Sequence, residues 1–134
     1  MLKLKFLGKF RDLGLLLLRL GIGLAFMMHG SGKMFHPDMW PQLGGALGIW
    51  GVTFAPTFWG FMAAFAEFGG GILMILGFLF RPAMMMMAFN MAVATSFHMH
   101  KGDDFNVYSH ALEAGILFFG LIFVGPGKFS LDGE

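Results

Sequence analysis

Four stretches of the chain are continuously apolar, and polar or turn-forming residues separate them. They run from about Leu13 to Phe35, Thr57 to Phe80, Pro82 to His100 and Val107 to Val124. None shows the period-two alternation of a strand, and each approaches the roughly 20 residues that a helix needs to cross the hydrocarbon core. Lipid admits only helices or closed barrels, because an unpaired backbone group there has no water to turn to. The pattern predicts an all-α integral membrane four-helix bundle forming a single domain over residues 1–134. Arg81-Pro82 divides the second stretch from the third, with Pro82 suited to a first helical position. Lys101-Gly102-Asp103-Asp104 makes a polar turn, and Gly125-Pro126-Gly127 stops the last helix.

The basic residues give this bundle a direction. Lys3, Lys5, Lys9 and Arg11 precede the first stretch, Arg81 joins the second to the third, and Lys128 follows the fourth. The opposite side has only Lys33 and Lys101. The positive-inside rule predicts both termini in the cytoplasm, and hence an outward-facing loop over His36–Pro56 between the first two spans. The first stretch has a basic start, but it is long, contains Arg19 and lacks an A-x-A cleavage site, so it is expected to be retained. Trp40 and Trp50 in the loop favour the headgroup region, as does Trp59 just beyond it. The glycines Gly44, Gly45, Gly48 and Gly51 weaken any helical reading of this loop but suit close packing over the bundle mouth.

Composition agrees with a lipid environment. The chain is 57% hydrophobic and 13% charged, with 18 Phe and 13 Met, more bulky apolar side chains than a soluble core of this size can hold. A net charge of +1 with no basic patch argues against a nucleic-acid partner. The absence of cysteine excludes disulfides and thiol chemistry within the chain.

Against that background the ionisable residues stand out. Arg19, Glu67 and Glu113 lie inside apolar runs and Lys33 at the end of one, where a charge costs at least a few kcal/mol and commonly marks a function. Counting helical rise places His29, Lys33, Glu67, Asn90, His98, His110 and Glu113 toward the outer half of the membrane, with Arg19 the outlier. His29 and Lys33 share one helix face, as do His110 and Glu113. The expectation is a polar pocket in which Glu67, Glu113 and His110 exchange protons. His29, Lys33, Asn90, His98 and Arg19 contact the ligand. Structural roles compete: Glu67 and Glu113 pairing with Lys33 and Arg19, Arg19 reaching toward cytoplasmic phosphates, and Asn90 joining helices. No metal is expected, because the di-iron bundle signature is Glu-x-x-His on two helices, and here His110-x-x-Glu113 is reversed and occurs once. Met84 to Met87 point around a helix axis and cannot converge on one ion; packing against lipid or a partner is expected instead. Gly69, Gly70 and Gly71 would let another helix, or a flat ligand, approach Glu67.

Several of these residues fall into a recognisable order. Arg19-Leu20-Gly21, then His29-Gly30 and Lys33-x-Phe35, resembles the first helix of the DoxX family. Glu67-x-Gly69-Gly70 with Leu76-Gly77 and Arg81-Pro82 is similar to its second-helix block. Asn90 and the closing Gly125-Pro126-Gly127-Lys128-Phe129-Ser130-Leu131-Asp132 extend the resemblance over nearly the whole chain. It implies a four-helix protein of a bacterial or archaeal inner membrane. The family takes its name from a subunit linked to thiosulfate:quinone oxidoreductase, and other members are associated with membrane redox complexes and oxidative stress.

The expected function is therefore a redox-associated membrane subunit whose pocket binds a quinone, with electrons supplied by a partner. The competitors are a non-catalytic accessory subunit in a larger membrane complex or homo-oligomer, and a small proton or solute transport module using an ionisable ladder from Arg19 through Glu67 to Lys33.

Overall fold

The computed structural model describes residues 2–134. After a 3-10 turn over Lys5–Phe10, helix α1 covers Arg11–Met34. A short α2 (Trp40–Gly44) lies between two 3-10 turns, Pro37–Met39 and Gly45–Trp50. Three long helices follow: α3 (Pro56–Leu76), α4 (Phe80–His100) and α5 (Phe105–Val124). Helix α1 packs on α3, α3 on α4 and α4 on α5, in antiparallel succession.

By length and composition, the expected four spans become three: α3, α5 and a continuous Lys5–Met34 segment containing α1 are long and apolar enough to cross a membrane. Helix α4 equals α3 in length but carries Arg81, Asn90, Thr95, Ser96, His98 and His100, which dilute its apolar character. The break before α4 also differs from expectation. It lies at Gly77–Leu79, where Gly77 (φ 63°) and Leu79 (φ 47°) turn left-handed, and α4 starts at Phe80, ahead of Pro82. Pro82 remains within the first turn, where its missing N–H leaves no helical bond unmade.

The loop after α1 is helical rather than irregular. Glycine is a poor helix former, but here it serves proximity: a Cβ on Gly60 would lie 2.5 Å from Trp40 Cα, so α2 rests directly on α3. Trp40 packs edge-on to Phe61 (5.1 Å), and Trp50, which stays exposed, meets Phe89 edge-on at 5.5 Å.

The core forms where α3, α4 and α5 meet, around Met74, Phe80, Met84, Met87 and Phe118, with Ile22 and Phe26 of α1 closing it. Met84 and Met87 share one face and are 0% and 1% exposed, so half of the methionine run fills the protein interior, contrary to the lipid-facing or partner-facing role expected of it. Met85 alone of the four is exposed. Flexible thioethers fill the irregular gap between three crossing helices.

Arg19 organises the far end. It is 1% exposed and reaches no carboxylate; its guanidinium donates to four backbone carbonyls instead. Nε bonds Met74 O (3.0 Å), Nη2 bonds Ile75 O (2.8 Å), and Nη1 bonds both Pro126 O (3.1 Å) and Phe129 O (2.9 Å). Two of these acceptors end α3, where the helix dipole favours a cation. The tail folds beneath: Asp132 accepts from the N–H groups of Leu79 (3.0 Å) and Phe80 (2.9 Å), supplying from a distance the cap that Leu79 cannot give α4. Arg19 thus neither extends toward phosphates nor pairs with Glu113.

Arg19→Leu is expected to strip four carbonyls of their donor and to destabilise the fold by about 3–5 kcal/mol, the range for breaking a buried charged network. Arg19→Lys keeps the charge but loses the planar fork, and should recover only part of that. Thermal unfolding in detergent, followed by circular dichroism, measures both.

Candidate functional site

The opposite end of the bundle holds the polar cluster. Gly30 lies on the α1 face that meets α3, and a Cβ there would sit 2.8 Å from the carbonyl carbon of Glu67. That close approach carries Lys33, one turn on, to Glu67. Lys33 Nζ donates to Glu67 Oε1 at 2.7 Å, and Asn90 Nδ2 of α4 reaches the same oxygen at 3.3 Å. Glu67 is 6% exposed, and its Oε2 receives no hydrogen bond among the described residues. One carboxylate thus ties three helices together and keeps an acceptor free.

Gly70 and Gly71 explain how α3 reaches two neighbours at once. A Cβ on Gly71 would lie 2.7 Å from Gly23 O of α1, and one on Gly70 would lie 2.7 Å from Met87 Cγ of α4. The glycine run therefore admits helices on both sides, as expected of small residues in lipid.

Two cavities flank the cluster beneath the α2 cap. One, of about 320 Å³, is lined by Lys33, Glu67, Asn90 and His98, with Met39, Gln42 and Phe97 around them. The other, of about 380 Å³, is almost wholly apolar, lined by Leu47, Trp59, Met62, Met86 and Phe89 among others. They share Leu43, Ala63, Asn90 and Val93, so they adjoin. Trp59 borders the apolar chamber with its ring, while its Nε1 is buried without a hydrogen-bond partner.

His98 borders the polar chamber from the end of α4. Its Nδ1 lies 2.8 Å from Asp103 Oδ2, and Lys101 Nζ is 3.6 Å from the same oxygen. The hydrogen bond to His98, helped by the charge of Lys101, holds the Asp103 carboxyl below the usual carboxylate range.

The expected eight-residue site is therefore divided. Lys33, Glu67, Asn90 and His98 come together. His29, His110 and Glu113 do not: all three are exposed on the bundle's outside and line neither cavity. Arg19 belongs to the far end, so no ladder connects it through Glu67 to Lys33. Among the described residues, no three His, Asp or Glu side chains gather as a metal-binding group. Residue counting missed Trp59 and Gln42 as lining residues. Trp59 carried a signal, an indole just inside a helix, but its direction depended on how α2 folds back.

The comparisons with known proteins agree with this architecture. A family model described as DoxX matches residues 14–101, which include Arg19, His29, Lys33, Glu67, Asn90 and His98 but not His110 or Glu113. The chain is also 29% identical over 127 residues to inner membrane protein YqjF of Escherichia coli (strain K12), covering 92% of this chain and 93% of that protein. No solved structure matches.

Two outcomes test the geometry. Lys33→Met leaves Glu67 buried without its cation; with Lys33 one-third exposed, the expected loss is about 1–3 kcal/mol, below the full value for a buried pair. Lys33→Met with Glu67→Met should cost less than the sum of the single changes, as a double-mutant cycle on thermal unfolding would measure. The Asp103 contact has a defined pH sense. A depressed carboxyl stabilises the fold above its unfolded value and loses that contribution as pH falls through its folded value. The α4–α5 turn should therefore become more susceptible to proteolysis below the ordinary carboxylate range, and Asp103→Asn should remove this acid dependence.

Proposed function

This chain belongs to the DoxX family, and on that premise we propose that it is a multi-pass inner-membrane protein whose adjoining cavities bind a flat, lipophilic, oxygen-bearing molecule of the quinone class. The basic residues Lys5, Lys9, Arg11, Arg81 and Lys128 gather at the Arg19 end, so that end and both termini are assigned to the cytoplasm and the cavities to the outer half of the membrane. Helix α4 is the fourth crossing element in this reading. Its polar positions are tolerable because Asn90 bonds Glu67 and Thr95 bonds Met91 O within the bundle.

The observation that carries the proposal is the pairing of adjoining chambers, one polar around Glu67 and one almost wholly apolar. A ring oxygen in the polar chamber accepts from Lys33 or Asn90, and the hydrocarbon side of the molecule lies in the apolar chamber against Trp59 and Phe89. Quinone reduction consumes protons as well as electrons, and Glu67 is the carboxyl placed to exchange one. Electrons come from a partner subunit, which makes this chain a redox-associated subunit rather than a complete enzyme.

A non-catalytic accessory role is the second reading, and the closed Lys33–Glu67 pair favours it, since that contact also clamps α1 to α3. Mild-detergent purification followed by lipid extraction and mass spectrometry separates the two. The binding reading expects co-purifying quinone that falls at least fivefold in Asn90→Leu, with thermal unfolding retained. Quinone-free wild-type protein recovered with constant larger subunits would support the accessory role instead.

A further inference from the structure

The three polar residues that miss the cavities share a place of their own. His29 lies on α1, and His110 and Glu113 lie on α5, all exposed and without a hydrogen bond or ion pair among the described residues. Phe26 and Phe118 meet edge-on at 4.9 Å and align the two helices in height. His29 is about 4.5 Å beyond Phe26 along α1, and Glu113 about 7.5 Å beyond Phe118 along the antiparallel α5, on the same side of that contact. His110 is one turn further. Helical periodicity puts His110 and Glu113 on the flank of α5 away from Leu112 and Phe119, which border α4.

Glu113 sits nine residues into the apolar α5 (Phe105–Val124), so in the bilayer it faces acyl chains at a depth of roughly 12 Å from the helix start. A lipid-facing carboxyl is unfavourable in either protonation state unless a donor or a cation meets it. Among the described residues no hydrogen bond or ion pair meets it, His110 one turn away included. The face carries both halves of a complementary pair, an acid and two imidazoles at nearly one height. A two-fold axis along the membrane normal preserves height, so it brings the acid of one copy against an imidazole of the other.

We propose that the outer halves of α1 and α5 form a homodimer interface within the membrane, with Glu113 of each protomer paired to His29 or His110 of the second copy. The contact is independent of the ligand reading, because none of the three residues lines a cavity.

The cysteine-free chain permits a direct test in native membranes. Gly32 is exposed on α1 with open space around a Cβ, at the height of the patch; Leu112 is exposed at a similar height on the other flank of α5. Under mild oxidation, Gly32→Cys should give a covalent dimer and Leu112→Cys should remain monomeric. Adding Glu113→Leu to Gly32→Cys should reduce the dimer at least fivefold, and Glu113→Gln, which keeps hydrogen bonding, should reduce it less. Unchanged thermal unfolding of the Glu113 variants excludes misfolding as the cause. Equal crosslinking at Leu112, crosslinking of Gly32→Cys only to a different protein, or a yield indifferent to Glu113→Leu would each overturn the proposal.

Discussion

The burial of one guanidinium sets the geometry of this molecule. Arg19 cannot lose its charge, and it is buried with no carboxylate in ion-pair contact among the described residues. Four carbonyls satisfy it, and they come from the end of α3 and from the tail after α5. That demand fixes how far α1 can slide along α3. A slip of one turn, about 5.4 Å, would unmake the Arg19 contacts and at the same time draw Lys33 away from Glu67. Gly77 belongs to the same constraint. Its positive φ ends α3, and a Cβ there would lie 2.9 Å from Arg19 Nη2.

The two ends of the bundle then divide their tasks. At the Arg19 end charged side chains answer backbone groups from within the chain: Asp132 caps α4, Asp12 accepts from Lys128 N at 3.1 Å, and Arg81 Nε bonds Ile122 O at 2.8 Å. That end is a closed knot. At the other end the account stays open, with an unbonded Glu67 oxygen and an unpartnered Trp59 N–H beside cavities.

In the proposed binding role, Lys33 and Glu67 would serve both stability and ligand contact. The pair closes α1 onto α3, yet Lys33 remains one-third exposed, so a ligand oxygen can compete for its ammonium without unfolding the contact. The α2 cap makes that possible. Trp40 Nε1 bonds the Lys33 carbonyl at 2.9 Å and so anchors the cap to the helix that supplies the lysine.

The sequence alone determined what depends on local order. The apolar runs predicted the long helices, the basic residues suggested an orientation, the run Gly69, Gly70 and Gly71 anticipated a close approach, and residue counting placed Glu67, Lys33, Asn90 and His98 at compatible heights. Helical rise is a property of one segment, so depth was legible. Azimuth was not, because the direction a side chain faces in the bundle is set by the neighbours against which its helix rotates. His29, His110 and Glu113 have the right height for the pocket and the wrong bearing. Met84 and Met87 turned inward for the same reason, and Trp59 joined the cavity only because α2 folded back over it. Tertiary packing decided which of the buried-looking charges meet, since a contact between helices is a joint property of two surfaces and neither segment encodes it alone.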